Sequence, residues 1–265
     1  MLKKVFFLAF MASAFSCQTF ASAESTARGM YEEGLYQESL PFWLECELAG
    51  RSVCSLALGV YYEDGLGVEI NLKTAFDHYY KAAVLGDAFA QFKVFEYYSN
   101  TSVFGGEHLL EANSWLKKSA EGGNDKAQVR MAIYAEIDGD FEKQHQWSLK
   151  AAEQGHTNAQ FSVGYNFLNG KGVAKNDSEA YSWINKSARA GHPRAQYFLA
   201  MVFEDGQVVQ RNYIKSYMWA VISNGNGSIA AKGFAELLET KMLDQNVKDA
   251  ITKAKVCVDS KYVDC

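Results

Sequence analysis

AQFSVGYNFLNGKGVAKNDSEAYSWINKSARAG, residues 159–191, reads as two amphipathic helices and the stops between them. Ala159, Val163 and Phe167 recur at i, i+4 and i+8, which places them along one face of a helix. Asn169-Gly170-Lys171-Gly172 ends that helix, because glycine accepts the positive φ of a helix C-terminus that other residues resist. Asp177 or Ser178 is expected to cap a second helix running through Ala180, Trp183, Ile184 and Ser187 to a turn at Gly191.

The same grammar recurs outward in both directions. Gly50, Gly86, Gly123, Gly155, Gly191 and Gly227 are 36, 37, 32, 36 and 36 residues apart. Four residues after each stands a small residue: Cys54, Ala90, Ala127, Ala159, Ala195 and Ala231. Four residues before each stands another: Cys46, Ala82, Ser119, Ala151, Ser187 and Ser223. Eight residues before, most units carry a large ring: Phe42, His78, Trp115, Trp147, Trp183 and Trp219. A period of 32–37 residues is the mark of stacked helical hairpins. The near-absence of proline, with only Pro41 and Pro193, suits a mostly helical chain.

LALGVYYEDGLGV (56–68), AQFSVGYNFLNGKGV (159–173) and AQYFLAMVFEDGQVV (195–209), each followed by its Ala/Trp helix, resemble the Sel-1-like repeat family, relatives of the tetratricopeptide repeats. The likeness runs from about residue 27 to 231. It departs at Phe95, where Gly or Ala is usual, in the irregular loop SNTSVFGGEH, and in a fourth unit about four residues short. The resemblance implies an all-α, right-handed α/α superhelical solenoid of about six helical-hairpin repeats plus a C-terminal capping helix. The expected divisions are a signal peptide over 1–23, the solenoid over 24–231 and capping helices over 232–265. Leu243, Val247, Ile251, Ala254 and Val258 are expected along one side of the last helix.

Lys3 and Lys4, an apolar stretch from Val5 to Phe15 and the small-x-small triplet Ala21-Ser22-Ala23 have the pattern of an export signal cleaved near Ala23. A lipoprotein signal lipidated at Cys17 is the rival, and Ala14 and Phe15 fit it poorly. Cleavage takes the net charge from −5 to −7, leaving 24 basic against 31 acidic residues. A mildly acidic domain is poorly suited to phosphate backbones, which argues against a nucleic-acid partner. No later stretch has the ~18 consecutive apolar residues of a membrane-spanning helix. A periplasmic or secreted location is expected.

Export also removes Cys17 and leaves Cys46, Cys54, Cys257 and Cys265. CELAGRSVC (46–54) and CVDSKYVDC (257–265) have the same spacing. The first pair fills the two small slots flanking a turn glycine, where helices pass closely enough for the Cβ separation of a disulfide. Zinc would want further ligands nearby, and a redox CxxC is absent, so the pairs read as two staples. The cysteine-rich secreted family members, which this chain resembles in its 46–54 spacing, carry such bridges.

Ser114 and Lys117 form an S-x-x-K, and some cysteine-rich family members have been credited with weak penicillin-binding or β-lactamase activity. No S-D-N or K-T-G accompanies the pair, and chance alone supplies about one S-x-x-K in such a chain. His156 and His192 each follow a turn glycine, a slot held by Asp87, Asn124 and Asn226 in other units, so turn-forming polarity explains them better than metal binding. No catalytic residue, metal site or cofactor is assigned.

Related superhelices line a concave groove with the first helix of each hairpin. Three and seven residues beyond the leading small residues stand Lys93 and Tyr97, and Arg130 and Tyr134; Tyr61 and Asn166 hold the second of these positions in their units. These six residues are the candidate groove. The expected function is an exported, non-enzymatic scaffold binding a protein or peptide, with cell-envelope components among the partners considered. The alternative is a weak β-lactam or cell-wall-peptide enzyme.

Overall fold

The computed structural model describes residues 22–100 and 108–265. All regular structure among them is helical. A helix over residues 22–32 is followed by α1 (Tyr36–Leu48), α2 (Ser52–Asp64), α3 (Leu72–Val84), α4 (Ala88–Ser99), α5 (Leu109–Glu121), α6 (Asp125–Ile137) and α7 (Phe141–Glu153). The chain continues through α8 (Thr157–Asn169), α9 (Asp177–Arg189), α10 (Pro193–Asp205), α11 (Tyr213–Gly225), α12 (Ile229–Glu239) and α13 (Asp244–Asp259). Two compact units divide between Ala127 and Gln128, in the first turn of α6. Most of the expected export signal and most of the irregular loop lie outside the described residues. Ala23, assigned to the cleaved segment, is buried with Ala27 against Trp43 and Leu58.

The small slots on either side of each turn glycine are all buried, because two helices meet there with only a methyl, hydroxymethyl or sulfur between them. Polar residues in these slots and next to them bind the helix ends together. Ser119, Ser187 and Ser223 donate their hydroxyls to the carbonyls of Ala88, Thr157 and Pro193, at the start of the first helix of the same hairpin. Gln91, Gln160 and Gln196 donate their amides to the carbonyls of Ala83, Ala152 and Ala188, in the last turn of the preceding helix. The glutamine bonds reach carbonyls of a helix C-terminus, the end that leaves acceptors without intrahelical partners, and the serine bonds tie the second helix of a hairpin to the start of its first.

Asn71, Asp87, Asn124, Asp140, Asn176 and Asn212 accept a backbone N–H three residues on, the N-cap bond. Asn176 therefore caps α9, in place of the expected Asp177 or Ser178. Gly172 tolerates no side chain: its φ is +69° and an added Cβ would lie on the Phe141 carbonyl.

The last helix meets expectation at Val247 and Ala254, which lie against the core, and departs from it elsewhere. Ala250, Ala254 and Cys257 face the core, while Leu243 is 74% and Ile251 48% exposed. The cause is the bridge. Cys257 must point inward to join Cys265, and a helix that turns residue 257 in also turns in 250 and 254 while rotating 251 and 258 out.

Candidate functional site

In the first unit the site is built around Glu63, in the last turn of α2. Its Oε2 accepts from Lys93 Nζ at 2.9 Å and from the Tyr79 hydroxyl at 2.7 Å, and its Oε1 accepts from the Tyr97 hydroxyl at 3.3 Å. Burial alone would raise the Glu63 carboxyl, but Lys93 and the two hydroxyls outweigh it and hold the pKa below the ordinary value. Burial and the facing carboxylate push both tyrosines up. Tyr97 is only 6% exposed. Lys93 and Tyr97, expected on an open groove, are instead bound to the Glu63 carboxylate.

Tyr61 is fully buried, with its hydroxyl against Ser39 Oγ at 2.6 Å and accepting from Trp43 Nε1 at 3.1 Å. It closes the bottom of a cavity of about 340 Å³ that Tyr31, Trp43, Val53, Leu56 and Val60 wall, with Arg28 and Glu32 also lining it. Deeper in the same unit, His78 Nδ1 lies 2.7 Å from Glu47 Oε1, and Lys81 donates to Oε2 at 2.9 Å.

In the second unit, α6, α8 and α10 are three successive first helices. With α7 and the loop after α8 they line a polar cavity of about 320 Å³, bounded by Glu136, Ser162, Tyr165, Asn166, Lys171 and Arg194. Lys171 Nζ lies 2.7 Å from Glu136 Oε1, and the Arg194 guanidinium sits 5.1 Å over the Phe161 ring. Asn166 is 2% exposed and donates to Gln144 Oε1 at 2.7 Å, so it forms a wall rather than a contact surface. The reason is polar saturation, since Gln144 and His145 surround its amide. Arg130 is exposed and Tyr134 half-buried on α6. Among the described residues no carboxylate lies within 4 Å of Arg130 or Arg194. Sequence reasoning missed Phe161 and Arg194. The available signal was GHPRAQ, where an arginine stands one residue before the buried alanine slot.

The cysteines pair as expected. Cys46–Cys54 and Cys257–Cys265 are bridged with Cα atoms 5.8 and 4.8 Å apart. The grouping of Glu24 with Cys46 and Cys54 is no metal centre, since the two sulfurs bond each other. His156 and His192 are N-caps, with Nδ1 accepting from the N–H of Ala159 and Ala195. Ser114 is exposed on α5, and Lys117 pairs with Glu121 at 3.8 Å. Trp115, Trp147 and Trp183 are half-buried, each with a lysine three residues on lying 4.0–4.3 Å over its ring.

Hairpins of near-constant length, interlocked by small residues and carrying open cavities on their first helices, define an α-helical repeat solenoid. The Sel1 repeat matches residues 52–87, 88–124, 125–156, 157–192 and 193–221, and the chain belongs to the Sel1 repeat family. It is similar to c5321 of Escherichia coli, a protective antigen of uropathogenic strains displaying an SLR fold, at 25% identity and a TM-score of 0.69. That likeness covers 86% of this chain and spans half of c5321. A Sel1 repeat protein from Oxalobacter formigenes is similar at 27% identity and a TM-score of 0.67, over 88% of this chain and 99% of the other. No curated protein matches. Among the described residues no helix is long and apolar enough to cross a membrane.

Proposed function

We propose that this chain is an exported, non-enzymatic scaffold that captures a protein or peptide through the face formed by its first helices. The observation that carries this is the polar cavity of the second unit, which Arg194 lines, with Arg130 exposed on α6; among the described residues neither guanidinium is paired with a carboxylate. Arg130 and Arg194 stand on α6 and α10, and the intervening first helix α8 supplies the rings of Phe161 and Tyr165. Arginine and tyrosine are among the residue types that dominate interface energetics; Tyr165 is 38% exposed, while Phe161 is buried beneath Arg194. Export is supported by the two disulfides, which persist in oxidising compartments, and by the signal-like pattern of residues 1–23.

Reversing both charges, Arg130→Glu with Arg194→Glu, tests the role of this face. Capture of the partner from envelope extracts is expected to fall at least ~10-fold, with melting temperature and thiol content unchanged. Undiminished capture would remove the second unit's first helices from the binding surface.

A further inference from the structure

We infer that the cavity of the first unit receives one large apolar side chain of a partner peptide, held next to a lysine or arginine. This rests on the binding function proposed above and gives its partner a chemistry.

At about 340 Å³, the cavity lies at the small end of ligand clefts, which suits a side chain rather than a cofactor. Away from Arg28 and Glu32, the polar atoms of its Tyr61 and Trp43 walls are already engaged. The Tyr61 hydroxyl is engaged by both Ser39 and Trp43, and Trp43 spends its only donor on that bond. A polar group entering would lose its water and gain no partner, so the interior selects an apolar occupant. Tyr31, 42% exposed, leaves an aromatic face open at the edge.

Charge at the rim selects the neighbouring residue. Arg28 is paired with Glu24 at 3.0 Å, and Glu24 also holds Arg51 at 2.6 Å. Glu32, which also lines the cavity, has no basic partner among the described residues. Glu24 is already shared by two arginines, so Glu32 is the carboxylate at the opening left for an incoming cation. A basic residue beside the buried side chain neutralises Glu32, whereas an acidic one is repelled.

Three acetylated, amidated peptides that place Phe beside Lys, Ala or Glu serve as probes, titrated into the full chain with methyl resonances of Val53, Leu56 and Val60 as the readout. The Phe–Lys peptide is expected to shift those methyls and bind about two- to fivefold tighter than Phe–Glu. Glu32→Lys should invert that order, and Ala57→Trp, filling the cavity, should abolish the shifts. Because Ala57→Trp can disturb folding, the wild-type shifts and the Glu32→Lys inversion stand independently of it. Methyls that do not move, or an order untouched by Glu32→Lys, would overturn the inference. Partner capture that stays sensitive to Arg130 and Arg194 while these peptides fail would remove this cavity's role and leave the proposed function standing.

Discussion

Among the described residues, the buried Oε1 of Gln160 lacks a hydrogen-bond partner. Its counterparts show what is missing. Gln128 accepts from Gln154, and Gln196 accepts from Asn226 at 2.9 Å; both donors immediately precede a turn glycine. The residue in that position for Gln160 is Ala190, which has nothing to donate. Ala190→Asn supplies the donor at an exposed helix C-cap and is expected to stabilise the chain by about 0.5–1.5 kcal/mol, raising the melting temperature by a few degrees. An unchanged or lower melting temperature would show that the bond does not form. At this scale the sequence was legible wherever a residue type recurred, as with the small slots. It was not legible for Tyr61, Tyr97 and Asn166. Their burial depends on Ser39, Glu63 and Gln144, which come from other helices; Ser39 and Gln144 share one repeat slot, but the contact each makes across helices is not written in the slot's residue type.

At the scale of elements, close approach determines which glycines can change. A Cβ on Gly164 of α8 would meet Ile184 of α9 at 2.6 Å and the Ala180 carbonyl at 3.1 Å. A Cβ on Gly233 of α12 would meet nothing within 4 Å. Gly164→Ala should therefore destabilise by about 1–3 kcal/mol through overpacking. Gly233→Ala should stabilise by up to about 1 kcal/mol through helix propensity alone. Chemical denaturation of the two variants reads the opposite signs directly, and a stabilising Gly164→Ala would contradict the packing of α8 on α9. Hairpin boundaries could be read in advance because glycines and caps are local signals. The inward face of α13 could be read only in part. Its apolar pattern favoured Leu243, Val247, Ile251, Ala254 and Val258; Val247 and Ala254 do lie against the core, but Cys257 and Ala250 join them there in place of Ile251 and Val258, and Leu243 precedes the helix as its N-cap.

At the scale of the molecule, the two units have different titrating groups and should respond to acid at different pH. In the second unit burial lowers the pKa of His145; burial and then the Arg194 charge lower that of His192. Both are held neutral, so their contribution to stability is present above about pH 6.5 and is lost as pH falls below it. Protonation also removes the lone pair with which His192 caps α10. In the first unit Glu47 and Glu63 are held below their ordinary 4.5 by His78 and Lys81, and by Lys93 and Tyr79, against the opposing effect of burial. Their contribution is present above pH 4.5 and lost below it. Hydrogen exchange as a function of pH should therefore show the second unit loosening first and the first unit only at stronger acidity. His192→Asn, which keeps a capping side chain, should diminish the first phase.

The repeat was readable from about residue 27 to 231 because one period governs that stretch, whereas the two cavities are each lined by a different set of residue types. The central claim, that a partner is bound on the first helices, is tested most directly by photo-crosslinking in the native host. The reactive side chain is placed at Tyr134 and at Tyr165, with Gln146, exposed on the second helix α7, as the control. A discrete adduct at Tyr134 and Tyr165 and none at Gln146 is the predicted result. Adducts of equal yield at Gln146, or none at the two tyrosines, would contradict it.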